Sequence, residues 1–120
     1  MANTTLPDAV PAGAAFTSSE GGALAQAVEK AFSADGSLAQ ADPGYVQRPA
    51  QQQLALAVAQ AIEGREALVA EAGTGIGKTF AYLVPLLLSG ARALVSTATK
   101  SLQDQLFLRD LPRLRAALGQ

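Results

Sequence analysis

Residues 71–79 read EAGTGIGKT and follow directly on the apolar run ALVA at 67–70. Ala72, then four residues, then Gly77, Lys78 and Thr79 have the Walker A spacing, with alanine in place of the first glycine. Each residue type in the stretch has a physical reason to be there. Gly73, Gly75 and Gly77 let the backbone turn so that successive N–H groups face a polyphosphate, where a side chain would obstruct it. A helix opening at Gly77 and Lys78 adds its positive dipole end to the same spot. Lys78 is placed to reach the β- and γ-phosphates, and the Thr79 hydroxyl to coordinate Mg²⁺. The stretch therefore predicts ATP and Mg²⁺ binding through Ala72, Gly73, Thr74, Gly75, Ile76, Gly77, Lys78 and Thr79, with Lys78 and Thr79 in the catalytic roles.

The flanking segments supply the context this turn requires. EALVAE (66–71) is short, apolar and bounded by turn residues, which predicts a buried parallel strand. KTFAYLVPLLLSG (78–90) predicts a helix closing on Gly90, with Pro85 kinking it or ending it early. RALVSTAT (92–99) predicts a second apolar strand, so the three pieces form a parallel βαβ unit and the chain is α/β. Upstream, 22–32 has Leu24, Val28, Ala31 and Phe32 at helical spacing. Gly36, Pro43 and Gly44 then break regular structure. AQQQLALAVAQAIEG (50–64) places Leu54, Val58, Ala61 and Ile62 on one face and is expected to end at Gly64 as its cap. Downstream, 100–118 is a leucine-rich helical stretch that Pro112 divides, with Asp110 near the second start. Residues 1–19, rich in Ala, Pro, Thr and Ser, read as a flexible lead-in, and 20–120 as the structured part. Two parallel strands make a small sheet, so this reads as the opening of a larger domain, truncated.

Composition narrows the chemistry. A hydrophobic fraction of 49% and a charged fraction of 16% fit a soluble globular chain. With no cysteine and no histidine, disulfides, thiolate metal sites, Cys–His nucleophiles and histidine bases are excluded within these 120 residues. The longest apolar stretch, FAYLVPLLL, is too short to span a bilayer. The first 20 residues hold no Lys or Arg, unlike a signal peptide, so a cytoplasmic protein without membrane contact is expected. Charge is uneven: residues 1–47 hold Lys30 against five acids, and 78–120 hold six cations against Asp104 and Asp110. Such a basic half permits phosphate contact, and a solvated helix face would look the same. After Thr79 those two aspartates are the only acids, and neither follows an apolar strand. The chain can cradle a nucleotide but lacks the carboxylate that hydrolysis needs for Mg²⁺.

EAGTGIGKTFAYLVP, then LVSTATKSLQDQLFLRDLP, with RPAQQQLALAVAQAI upstream, resembles the start of the DinG/YoaA helicases, bacterial superfamily 2 enzymes related to the eukaryotic XPD helicase. The resemblance runs over about 20–118 and is strongest at 45–115. It implies a RecA-like P-loop NTPase motor domain and a complete enzyme that moves 5′→3′ on single-stranded DNA in replication-linked repair. It also implies that Gln51, in Arg48-Pro-Ala-Gln51, contacts adenine, for which an amide that both donates and accepts is suited. On the residues alone, a surface glutamine in a run of three is the plainer reading. STATKSLQDQL resembles motif Ia, which would place Thr97, Thr99, Lys100 and Gln103 against a single-strand phosphate. Without the resemblance, an ordinary strand end with a polar cap serves equally well. Ile76 stands where many relatives carry threonine, and Leu54 where methionine is frequent. The DEAH-type box, the four cysteines of an iron–sulfur cluster and the second motor domain would all lie beyond Gln120. Two other readings stay open: a P-loop ATPase of another kind, and a non-enzymatic nucleotide-binding product.

Overall fold

The structure, a computed structural model, describes residues 2–6 and 22–120. In chain order the elements are β1 (Ala2–Leu6), α1 (Ala23–Phe32), α2 (Ser37–Ala41), α3 (Pro49–Gly64), β2 (Leu68–Ala72), α4 (Lys78–Ser89), α5 (Lys100–Gln105), a π-helical turn (Leu106–Asp110) and α6 (Leu111–Ala117).

Three amphipathic helices make the centre. α1 buries Ala25, Val28, Ala31 and Phe32, close to the stripe expected from its spacing. α3 buries Leu54, Ala55, Leu56 and Ala59, and its many alanines let α1 and α4 approach closely. α4 buries Ala81, Leu83, Val84 and Pro85 against both, and Leu114 of α6 closes the cluster. Phe32, Leu114, Val28 and Val84 are fully buried, and each contributes roughly 1.5–3 kcal/mol relative to an exposed side chain.

The helix ends are held locally. Glu63, near the end of α3, accepts a hydrogen bond from the Ala25 N–H at 3.1 Å, setting a carboxylate on the positive end of α1. At the other end of α1 the Phe32 carbonyl accepts from the Tyr45 hydroxyl at 2.6 Å, with the Gln47 and Gln52 amides at 3.3 and 3.4 Å. α3 runs through Gly64 instead of stopping on it. Arg65 takes the left-handed conformation, while the Arg65 and Glu66 N–H groups bond to the Ile62 and Ala61 carbonyls. That is a Schellman ending with arginine in the place glycine usually holds.

The sheet departs from expectation. β2 forms where the apolar run predicts it, but its parallel partner is β1, with Ala2 opposite Leu68 and Leu6 opposite Ala72. The expected lead-in at 1–19 thus contains a strand at 2–6, and its remainder, 7–19, lies outside the described residues. Residues 92–98 form no strand, so the anticipated βαβ unit is absent among the described residues. A strand exists only where a neighbour completes its ladder and a core covers a face. Here Leu94 is 96% exposed and only Val95 of this segment packs on the core. β2 is likewise not the buried strand expected, with Val69 55% exposed.

Proline is tolerated at both helical positions. α4 continues through Pro85 to Ser89 and closes on left-handed Gly90, so the early end does not occur. Burial of Pro85 among core residues compensates the missing N–H. The 100–118 stretch does divide before Pro112, through the π turn, with Asp110 in the N-cap position of α6. A proline ring crowds the carbonyl four residues back, and the wider turn lies where that carbonyl, on Leu108, must give way. Within the expected break after Phe32, residues 37–41 form the short helix α2.

Candidate nucleotide-binding site

The glycine-rich turn leaves β2 at Ala72 and enters α4 at Lys78. Gly75 and Gly77 have φ of 83° and 80°, the left-handed region that disfavours any residue with a Cβ. At Gly77 a Cβ would also collide with the Gln51 amide, so both conformation and space demand glycine there. Gly73 is not among the positive-φ glycines, so its role differs from that of the other two. Thr74 and Gly75 are exposed, as groups facing a ligand would be.

Ile76 has a packing role besides its place in the turn. Its side chain belongs to the core, so only its backbone remains for a ligand, and the side chain anchors the loop to the protein. Ala72 likewise contributes its carbonyl, which accepts from the Lys78 Nζ at 3.1 Å. Lys78 is exposed, and its ammonium folds back onto the start of the turn at Ala72. The Thr79 side chain lies near Tyr82, three residues on along the same helix face, and acts on its phenol. Burial pushes the Tyr82 phenol above its usual range, the Thr79 side chain opposes this, and the Asp110 charge adds to the rise. Sequence reading did not single out Tyr82; its one signal was the three-residue spacing from Thr79.

The first turn of α3 completes the site. Gln51 is only 7% exposed and its Nε2 donates to the Gly77 carbonyl at 3.1 Å. Arg48, the N-cap residue of α3, makes no side-chain cap; its Nη1 donates to the Gly75 carbonyl at 2.6 Å. Gln51 is thus no surface glutamine but sits under the turn, bonded to it.

The residues fit a nucleotide with Mg²⁺. The α4 N-terminus carries no side-chain cap, so its first N–H groups are free for an anion. At Gly75 a Cβ would meet no atom within 4 Å, so the exposed side of the turn is open there. Lys78 would hold the phosphates and Thr79 the metal. An iron–sulfur cluster does not fit this chain, which has no cysteine to ligate it.

Thr97, Thr99, Lys100 and Gln103 form a separate group where the extended segment meets α5. The Thr97 hydroxyl donates to the Thr99 carbonyl at 2.9 Å, and the Thr99 hydroxyl caps α5 by accepting from the Leu102 N–H at 3.1 Å. Lys100 pairs with Asp104 at 3.3 Å on an exposed surface, a pair worth little and easily exchanged. Gln103 lines a mainly apolar cavity of about 380 Å³ with Val95, Leu106 and Phe107. Asp104 is thereby paired, and buried Asp110 is paired with Arg109 at 3.2 Å.

The pattern of the DEAD/DEAH box helicase family matches residues 48–115, from Arg48 through the turn to α6. The ATP-dependent DNA helicase YoaA of Escherichia coli (strain K12) is 54% identical over 87 residues, 72% of this chain and 14% of that protein. The ATP-dependent DNA helicase YoaA of Haemophilus influenzae is 51% identical over 88 residues, 73% of this chain and 14% of that protein. The ATP-dependent helicase DinG of Mycobacterium tuberculosis (strain H37Rv) is 52% identical over 75 residues, 59% of this chain and 11% of that protein. The chain thus spans at most 14% of the length of these relatives. No solved structure matches it.

Proposed function

This chain belongs to the DEAD/DEAH box helicase family, and from that premise we propose that it forms the ATP-binding part of a DinG/YoaA-type DNA helicase. The RecA-like P-loop fold of that family is the frame. The observation that carries the reading is the turn at 72–79, with two left-handed glycines, Lys78 folded back onto its start and an uncapped helix behind it. In this reading Lys78 leaves the Ala72 carbonyl to bind the β- and γ-phosphates, and Thr79 turns its hydroxyl to Mg²⁺. Gln51 keeps one amide hydrogen on Gly77 and offers the rest of its amide to adenine. Bound Mg·ATP supplies the phosphoanhydride bond whose cleavage drives movement; the Mg²⁺ carboxylate and the group that positions water come from elsewhere in the complete protein.

Thr97, Thr99, Lys100 and Gln103 are proposed to hold a phosphate of single-stranded DNA, Lys100 exchanging Asp104 for it. Translocation 5′→3′, a role in repair and replication, a cytoplasmic location and an iron–sulfur cluster on further chain belong to the same proposal. No helix among the described residues is long and apolar enough to cross a membrane.

Lys78→Ala tests the reading. A fluorescent ATP analogue titrated against this chain should bind at least about tenfold more weakly to the variant, the cost of one charge-assisted contact. In a protein containing both motor domains, single-stranded DNA should stimulate ATP turnover and the same substitution should abolish it. Undiminished binding and turnover in the variant would remove the assignment.

A further inference from the structure

The first turn of α3 grips the phosphate loop at two carbonyls, those of Gly75 and Gly77. In a trans peptide unit the C=O of one residue and the N–H of the next point in opposite directions, and none of the described peptide bonds is cis. Holding the Gly75 carbonyl toward Arg48 therefore turns the Ile76 N–H away from α3. Holding the Gly77 carbonyl toward Gln51 does the same to the Lys78 N–H.

The two carbonyls differ in how much other support they have. Gly77 also accepts from the Ala81 N–H at 3.2 Å, the first ladder bond of α4, so that peptide is fixed by the helix itself. Gly75 is exposed, stands in a left-handed conformation, and a Cβ placed on it would meet no atom within 4 Å. Arg48 supplies its restraint, at 2.6 Å, the short distance of a charge-assisted bond. Pro49 in the first turn of α3 fixes the backbone from which Arg48 reaches across.

We propose that Arg48 is a positioning residue for the phosphate loop: by holding the Gly75 carbonyl toward α3 it aims the Ile76 N–H at the polyphosphate, so that α3 orders the loop before ligand arrives. Its consequence for binding rests on the nucleotide reading above; its geometric part does not. A loop already ordered binds without the entropic cost of fixing a glycine peptide.

The test compares wild type, Arg48→Gln and Arg48→Lys in this chain, by two measurements. Amide order parameters in the ligand-free protein report the clamp alone. In Arg48→Gln those of Gly75 and Ile76 should fall below about 0.6, the flexible range, while the interiors of α1 and α4 stay near 0.85. Titration with ATP and with inorganic tripolyphosphate reports the consequence: both affinities should fall by the same factor, about tenfold, with Arg48→Lys between. Unchanged order parameters overturn the proposal even if ATP affinity falls, because Arg48 would then be touching the ligand itself. A loss for ATP with none for tripolyphosphate overturns it too, moving Arg48 to the base or ribose. If Arg48→Gln does not fold, Arg48→Lys carries both measurements. If the order parameters fall as stated but wild type binds neither ligand, the clamp stands and the nucleotide reading fails.

Discussion

Gln51 has one contact in the structure and a second one proposed. Its Nε2 is committed to the Gly77 carbonyl, and the proposed function asks the same amide to meet adenine. Gln51→Ala should therefore weaken ATP more than a pyrimidine triphosphate, the difference being one hydrogen bond of about 0.5–1.5 kcal/mol, up to roughly tenfold in affinity. A smaller loss common to both nucleotides is expected, because the Gly77 contact goes as well. Competition titrations with the two nucleotides measure this, and equal losses would confine Gln51 to the loop contact. The glutamine could be found in the sequence only through its place beside Arg48 and Pro49. Its partner could not, because the separation of 26 positions from Gln51 to Gly77 is closed by helix packing and leaves no local pattern.

At the scale of an element, the end of α1 depends on chain well beyond it. The Phe32 carbonyl collects donors from Tyr45, Gln47 and Gln52, which tie the loop before α3 to the helix. Tyr45→Phe removes the shortest of these while the two amides remain, so chemical denaturation should show a loss of about 1 kcal/mol. Burial raises the Tyr45 phenol above its ordinary value, so the folded state holds its proton more tightly than the unfolded one. The stabilisation is whole below the unfolded value of about 10 and declines as pH rises beyond it. Tyr82 is raised for the same first reason and adds to that alkaline decline. Tyr45→Phe should lose its share, giving a shallower fall of melting temperature between pH 9 and 11 (roughly the window of a phenol near 10). An unaltered slope would show that Tyr45 does not titrate with folding.

Across the whole molecule, several large apolar side chains are left open to solvent. Leu94, Phe107 and Leu108 are exposed at 96%, 68% and 71%. Phe107 and Leu108 border a groove of about 870 Å³ between the end of α4 and α6. Patches of this kind, together with the exposed face of β2, favour association. The chain should show concentration-dependent self-association in sedimentation velocity, and Phe107→Ser with Leu108→Ser should reduce it without lowering the melting temperature. Both residues are exposed, so their replacement leaves the Phe32–Leu114 cluster intact. Equal association in the variant would direct attention to β2 instead.

The sequence by itself determined the features that depend on near neighbours. Glycines, a lysine and a hydroxyl at fixed offsets announced the turn at 72–79 between β2 and α4. Helical spacing marked α1 and α3, and Gly90 and Pro112 punctuated the chain where expected. Each of these follows from backbone sterics or from a periodicity of a few residues. Only the tertiary structure decided which segments pair and which side chains meet. RALVSTAT has a strand's composition, yet 92–98 has no ladder, because a strand is made by its neighbour. Residues 2–6 have a lead-in's composition and nonetheless pair with β2. Ile76 reads as a loop residue and is packed in the core, while Gln51 reads as a surface residue on its own and is buried against the turn. Contacts across long stretches of chain are fixed by shared burial, and that is a property of the whole fold.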